Sequence, residues 1–212
     1  VRFPEFKANF SDVKKIISRN NSPVFIERKV SGEKSSSKLS YEQRFYSFFD
    51  EMKVKTRIAK PGESIKISDI RTDELGITHI NAIQTYRGIK IYGSETSLHL
   101  SPGKERLTGR LFSPGDAINT IPVHNEDQIL SLVVRDLKKI TRYREMRDDE
   151  KDILKYEAPS CDLIILNQKD NIFTLAWEVE IRPNFIERWR YFVDAGTGRI
   201  IRKYNITNSD GP

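Results

Sequence analysis

Residues 73–112 read DELGITHINAIQTYRGIKIYGSETSLHLSPGKERLTGRLF, and this stretch decides the fold. Ile80, Ala82, Gln84 and Tyr86 fall on one face of a first strand, and Thr96, Leu98 and Leu100 on one face of a second. That is the period-two alternation of half-buried strands. Gly76 and Gly88 stand where the chain must turn sharply or take a positive φ, and Gly93 where two strands approach closely. Ser101-Pro102-Gly103-Lys104 is a reverse turn that pairs the second strand with residues 106–112. The stretch reads as an antiparallel meander.

The order of residue types carries more than alternation. Asp73-Glu74-Leu75-Gly76-Ile77-Thr78-His79, then Gln84-Thr85-Tyr86-Arg87-Gly88-Ile89, then Tyr92-Gly93, closely resembles the fungalysin/thermolysin propeptide motif. That motif lies in the prosegment of secreted zinc metallopeptidases. The resemblance implies that Asp73, Gly76, Gln84, Tyr86, Gly88 and Gly93 are folding residues of the motif.

Toward the N-terminus, Ser40-Tyr41-Glu42-Gln43 is a capping box, followed by Phe45, Phe48, Phe49 and Met52 at helical spacing. The stripe reads as a core helix laid across the sheet of residues 65–112, a cystatin-like arrangement. Residues 31–38, SGEKSSSK, have nothing to bury and read as a flexible, protease-sensitive loop. Residues 23–30 are a strand candidate. Ser11 is a cap for a short helix with Val13, Ile16 and Ile17 on one side.

Toward the C-terminus, residues 113–124 carry no period and separate two domains. Asn125 caps a second helix, with Glu126 and Asp127 in its first turn and Gln128 at the box position. Ile129, Leu132, Val133, Leu137 and Ile140 are its expected buried stripe, and residues 142–151 a solvated face or loop. Strands are expected at 153–157, 161–167, 172–182, 188–194 and 199–205. Ala195-Gly196-Thr197-Gly198 turns the last hairpin. Leu175-Ala176-Trp177-Glu178-Val179, followed by residues 189–198, WRYFVDAGTG, looks like a PepSY domain. This resemblance implies an anchoring surface built on Trp177, Glu178, Trp189, Tyr191, Asp194 and Gly198. The expected fold is α+β, with two consecutive cystatin-like subdomains at 40–112 and 125–205. They are flanked by an N-terminal extension, 1–39, and a tail, 206–212.

Composition narrows the function classes. The 212 residues carry a net charge of +6, with charges spread along the chain instead of gathered in one block. That spread argues against nucleic acid, and no apolar run is long enough to span a bilayer as a helix. In Arg188-Trp189-Arg190-Tyr191-Phe192 the aromatics Trp189 and Tyr191 share the core face with Val193, so they cannot stack on bases. The single cysteine, Cys161, reads as a small buried apolar residue. The three histidines, His79, His99 and His124, form no His-Glu-x-x-His, and there is no Gly-x-Ser-x-Gly or Cys-x-x-Cys. The chain is expected to lack a catalytic site and to bind no metal. No signal peptide is visible, as expected if one has been removed or if the sequence starts late.

The resemblances together imply the prosegment of a secreted thermolysin-like zinc metallopeptidase, assisting folding of the catalytic domain and holding it inactive. The partner implied is that cognate catalytic domain, which carries the zinc and calcium. Neither nucleic acid nor membrane is expected, and these residues leave the oligomeric state open. The tail, with Asn208, Asp210 and Gly211, is expected to enter the cleft as a substrate does. Asp210 stands there either as a carboxylate toward zinc or as part of a solvated linker. A stand-alone secreted PepSY-type module that binds or inhibits another protein is the alternative.

Overall fold

In this computed structural model the described residues are 13–19, 22–30, 39–115, 117–169 and 172–207. They divide into two units, the first comprising the residues up to Gly115 together with Lys169.

Alternation organises the first unit. Its strands are β1 (Val13–Arg19), β2 (Ser22–Lys29), β3 (Ile65–Thr72), β4 (Thr78–Tyr86), β5 (Ile89–Ile91), β6 (Thr96–Ser101) and β7 (Lys104–Gly109). They run β1-β2-β7-β6-β4, with β3 on the far side of β4 and β5 paired to the end of β4. All pairings are antiparallel. Ile26, Leu107, Leu98, Ile80 and Ile70 form one cross-strand row, and the next row is Glu27, Arg106, His99, His79 and Arg71. Successive side chains of a strand point to opposite faces, so the first row meets the helix and the second lies on the other face. Helix α1 (Tyr41–Glu51) starts at the predicted box: Ser40 Oγ accepts from Gln43 N, and the Gln43 side chain accepts from Ser40 N. Phe45, Phe48 and Phe49 are fully buried against Ile26, Ile65, Ile80, Leu98 and Leu107. Burying three such rings stabilises the unit by about 1.5–3 kcal/mol each.

The second unit repeats the plan. Helix α2 (Glu126–Ile140) has the Asn125–Gln128 capping box and packs Ile129, Val133 and Leu137 on Val179, Ile181, Tyr191 and Val193. Its strands β8 (Ser160–Lys169), β9 (Ile172–Ile181), β10 (Trp189–Asp194) and β11 (Ile200–Asn205) lie in that order. The architecture is α+β with two cystatin-like subdomains, each a helix on an antiparallel sheet.

Several expectations change. Residues 13–19 are a strand, not a helix; the Ser11 cap lies outside the described residues. The spacing of Val13, Ile16 and Ile17 suits a helix, but pairing of Ile16 with Ile26 and Ile17 with Phe25 decides the outcome. The N-terminal segment thereby supplies two strands to the first sheet. Residues 153–157 are not a strand: helix α3 spans Asp148–Leu154 and closes on Lys155 in the left-handed region. Asp148, Asp149 and Glu150 favour its N-terminus, whereas Ile153 is exposed, so no apolar period announced it. The last residue of the expected α2 stripe, Ile140, is 46% exposed.

Candidate functional site

Five of the six expected folding residues lie along β4 and its turns, and Gly93 lies between β5 and β6. Asp73 opens the β3–β4 turn, where Oδ1 accepts from Leu75 N and Ile77 N, both at 2.9 Å. Gly76 completes that turn at φ +74°. Arg87 and Gly88, at φ +49° and +86°, make the two-residue turn into β5, the primed geometry that hairpins favour. Tyr86 is half-buried, with the Arg87 guanidinium 5.3 Å from its ring centre.

Gln84 is buried in the unit, and its side chain acts as one more rung of the sheet. Nε2 donates to Phe112 O at 2.6 Å, and Oε1 accepts from Phe112 N at 2.8 Å. Ser94, fully buried, accepts from Gln84 N at 3.0 Å and donates to Ile91 O at 2.7 Å. Gly93 is not a point of close approach: it holds φ +75°, and a Cβ there meets nothing within 4 Å. The close approach is at Gly109, where a Cβ would lie 2.4 Å from Glu95 O and 2.6 Å from the Thr96 Cα. Neither Ser94 nor Gly109 stands out in the sequence, since only the contacts of Ser94 with Gln84 and Ile91 and the β6–β7 register at Gly109 show what they face. These residues shape the backbone, and two of them, Gly93 and Gly109, line one hollow together with Val24, Glu95 and Arg110.

On the opposite face lies a polar chain. Asp73 Oδ2 meets His79 Nε2 at 2.9 Å, His79 Nδ1 meets His99 Nδ1 at 2.7 Å, and His99 Nε2 meets Thr108 Oγ1 at 2.8 Å. Burial pushes the His99 imidazole below its ordinary value, and the His79 and Arg106 charges add to this. The His79 hydrogen bond, with backbone N–H groups of the turn, lowers the Asp73 carboxyl.

In the second unit the expected anchor residues tie the helix and its leading segment to the sheet. Trp177 Nε1 donates to His124 O at 2.9 Å. The Tyr191 hydroxyl donates to Asp136 Oδ2 at 2.9 Å, and Lys203 Nζ donates to the same oxygen at 2.6 Å. Burial and the Asp136 carboxylate push the Tyr191 hydroxyl well above its ordinary value. Trp189 Nε1 donates to Glu187 Oε2 at 2.7 Å. Asp194 Oδ1 accepts from Gly196 N and Thr197 N in the last turn, and Gly198 holds φ +69° there. Arg190 pairs with Glu178 and Glu180, and Arg188 with Glu180. Burial, reinforced by Glu126 and Asp162, pushes the Cys161 thiol up to about 12, so it is a thiol and not a thiolate.

The tail begins in order: Ile206 N donates to Arg188 O, and Arg188 N donates to Thr207 Oγ1. Asn208, Asp210 and Gly211 lie outside the described residues. Among the described residues no group of three or more His, Cys, Asp or Glu side chains is placed to hold a metal. No described helix is long and apolar enough to cross a membrane.

Residues 63–105, from the turn before β3 into β7, match the Fungalysin/Thermolysin Propeptide Motif family. The chain carries the fungalysin/thermolysin propeptide motif. All six expected folding residues and both ends of the His79–His99 contact fall inside it. The chain is also similar to bacillolysin of Brevibacillus brevis, 26% identical over 149 residues, which is 66% of this chain and 26% of bacillolysin. Thermolysin of Alicyclobacillus acidocaldarius subsp. acidocaldarius is 26% identical over 194 residues, 86% of this chain and 33% of thermolysin. The chain thus spans a quarter to a third of the curated relatives it matches. Among solved structures, the C-terminal domain of Bacillus megaterium YpeB overlays with a TM-score of 0.37 at 14% identity, covering 88% of this chain and 73% of that domain.

Proposed function

We propose that this chain is the non-catalytic prosegment of a secreted thermolysin-like zinc metallopeptidase, acting as folding assistant and inhibitor of its catalytic domain. The observation that carries this reading is the propeptide motif at 63–105, supported by the alignments to bacillolysin and thermolysin. The second unit is read as a PepSY domain that anchors the complex. Zinc and calcium belong to the catalytic domain in this reading.

The physical case rests on kinetic stability. Extracellular peptidases survive through a high unfolding barrier, and the same barrier can slow their folding. A rigid prosegment that binds the folding transition state lowers it and is then removed. The first unit supplies rigidity through positive-φ turns and the Gln84–Phe112 rung. The charge of +6 steers it toward an acidic partner. Blockade is assigned to the tail, with Asn208, Asp210 and Gly211 laid along the cleft beyond the Arg188–Thr207 tie.

The test adds the chain to a denatured thermolysin-like catalytic domain and follows recovery of peptidase activity, then measures inhibition of the mature enzyme. Faster recovery together with inhibition is expected. Deleting residues 208–212, which keeps the Arg188–Thr207 tie, should weaken inhibition while leaving the melting temperature nearly unchanged. A chain that neither speeds recovery nor inhibits would sink the reading in favour of an independent binding module.

A further inference from the structure

The row on the open face of the first sheet places Arg71, His79, His99, Arg106 and Glu27 side by side on five neighbouring strands. Directly opposed side chains in a sheet interact strongly, and like charges there destabilise it. The two imidazoles touch edge to face, with ring centres 4.9 Å apart.

Proton counting assigns each contact. An ionised Asp73 can only accept, so His79 carries its proton on Nε2 and leaves Nδ1 bare. His99 must then donate from Nδ1, and its bare Nε2 accepts from the Thr108 hydroxyl. One added proton is tolerated. One Nδ1–H then still donates to the other ring's bare Nδ1 across the contact. A second proton is not tolerated, because two N–H groups would then face each other across 2.7 Å.

We propose that the His79–His99 contact is an acid-release latch in the propeptide motif, holding β4 to β6 with none or one added proton and opening when both rings are charged. Charges around the latch reinforce this. Arg71 on β3 and Arg106 on β7 flank the pair, so double protonation makes four consecutive cations. Against them stand Asp73 on His79, Asp69 on β3 bonded to Asn81, and Glu27 on β2, which Arg106 and Lys104 already engage. Burial of His99 acts in the same direction. The sign follows: the unfolded chain takes a proton at His99 more readily than the folded one. Stability is therefore full above the ordinary histidine value of about 6.5 and falls as pH drops below it. Resting on the prosegment reading, the consequence is that the first unit loosens its hold on the catalytic domain in mildly acid surroundings.

The test uses the full chain without any peptidase. Ring-proton NMR of the three histidines is followed from pH 8 to 4, with amide exchange at Ile80 and Leu98 in β4 and β6 compared with Val179 and Tyr191 in the second unit. Expected are a His99 midpoint below the ordinary value and protection at Ile80 and Leu98 falling several-fold through that midpoint, relative to the reference pair. His99→Gln should abolish the acid-dependent loss. An ordinary His99 midpoint in the wild-type chain, or unchanged protection through it, overturns the latch even if the variant fails to fold. Retention of the loss in a folded His99→Gln chain overturns it as well. Inhibition of a catalytic domain is then measured at pH 7 and 5. Absence of inhibition at both values, with the latch intact, counts against the prosegment reading alone.

Discussion

In the first unit the motif residues act mainly on the backbone: Gly76, Gly88 and Gly93 set left-handed turns, and the Gln84 side chain stands in for a missing strand rung. In the second unit the corresponding work is done by side-chain ties: Tyr191 to Asp136, and Trp177 to the carbonyl of His124. The contrast is one of replaceability. A tie lost from a helix–sheet contact leaves its neighbours in place, as Lys203 still holds Asp136 when Tyr191 does not. A backbone geometry that only glycine adopts cheaply has no such second partner.

The largest effect expected from this contrast is at Gly109. Its φ of +126° and the 2.4 Å approach to Glu95 O make Gly109→Val costly, by about 3–5 kcal/mol. Gly93→Ala, in open space at φ +75°, should cost only about 1–2 kcal/mol. Denaturant midpoints of both variants check this, and equal losses would show that backbone conformation, not contact, governs both sites.

Next comes the comparison of Gln84→Ala with Tyr191→Phe. The first removes both side-chain hydrogen bonds to the Phe112 backbone in a buried setting and should cost about 2–4 kcal/mol. The second removes one bond from a carboxylate that keeps Lys203, for about 1 kcal/mol. Both tryptophans, Trp177 and Trp189, lie in the second unit, so their fluorescence reports the Tyr191→Phe loss there. Amide exchange in β4 reports the Gln84→Ala loss. A Tyr191→Phe loss as large as that of Gln84→Ala would erase the distinction drawn between the units.

Where the units use the same device the effects should match. Ser40→Ala and Asn125→Ala each remove a reciprocal cap and should cost about 1 kcal/mol apiece. Far-ultraviolet circular dichroism during thermal melts would reveal an imbalance.

The smallest effect is confined to acid. Glu150 is held at about 2 by the Arg144 guanidinium bonded to it, with the Arg147 N–H adding to this. Its contribution is complete above its ordinary value near 4.5 and drains away as pH falls toward about 2. Glu150→Gln should flatten that part of the tryptophan-monitored acid curve while leaving the His99-linked change in β4 and β6 untouched.

By itself the sequence determined the features whose cause is local. Two capping boxes, the Phe45-Phe48-Phe49 stripe, the alternation of β4 and β6, and the positive-φ turns at Gly76 and Gly88 each depend on residues a few positions apart. The propeptide motif was legible for that reason, since it is written in one run of hairpins. Tertiary structure alone decided what depends on register across distant strands. Residues 13–19 became a strand because β2 pairs with them, against a spacing that suits a helix. Glu105 is buried between Arg28 and Arg44 beneath α1. Gln84 found Phe112 twenty-eight residues away, and His79 met His99 only because β4 and β6 align residue for residue. Pairing register is set by the summed burial of whole strands, and no short window of sequence contains that sum.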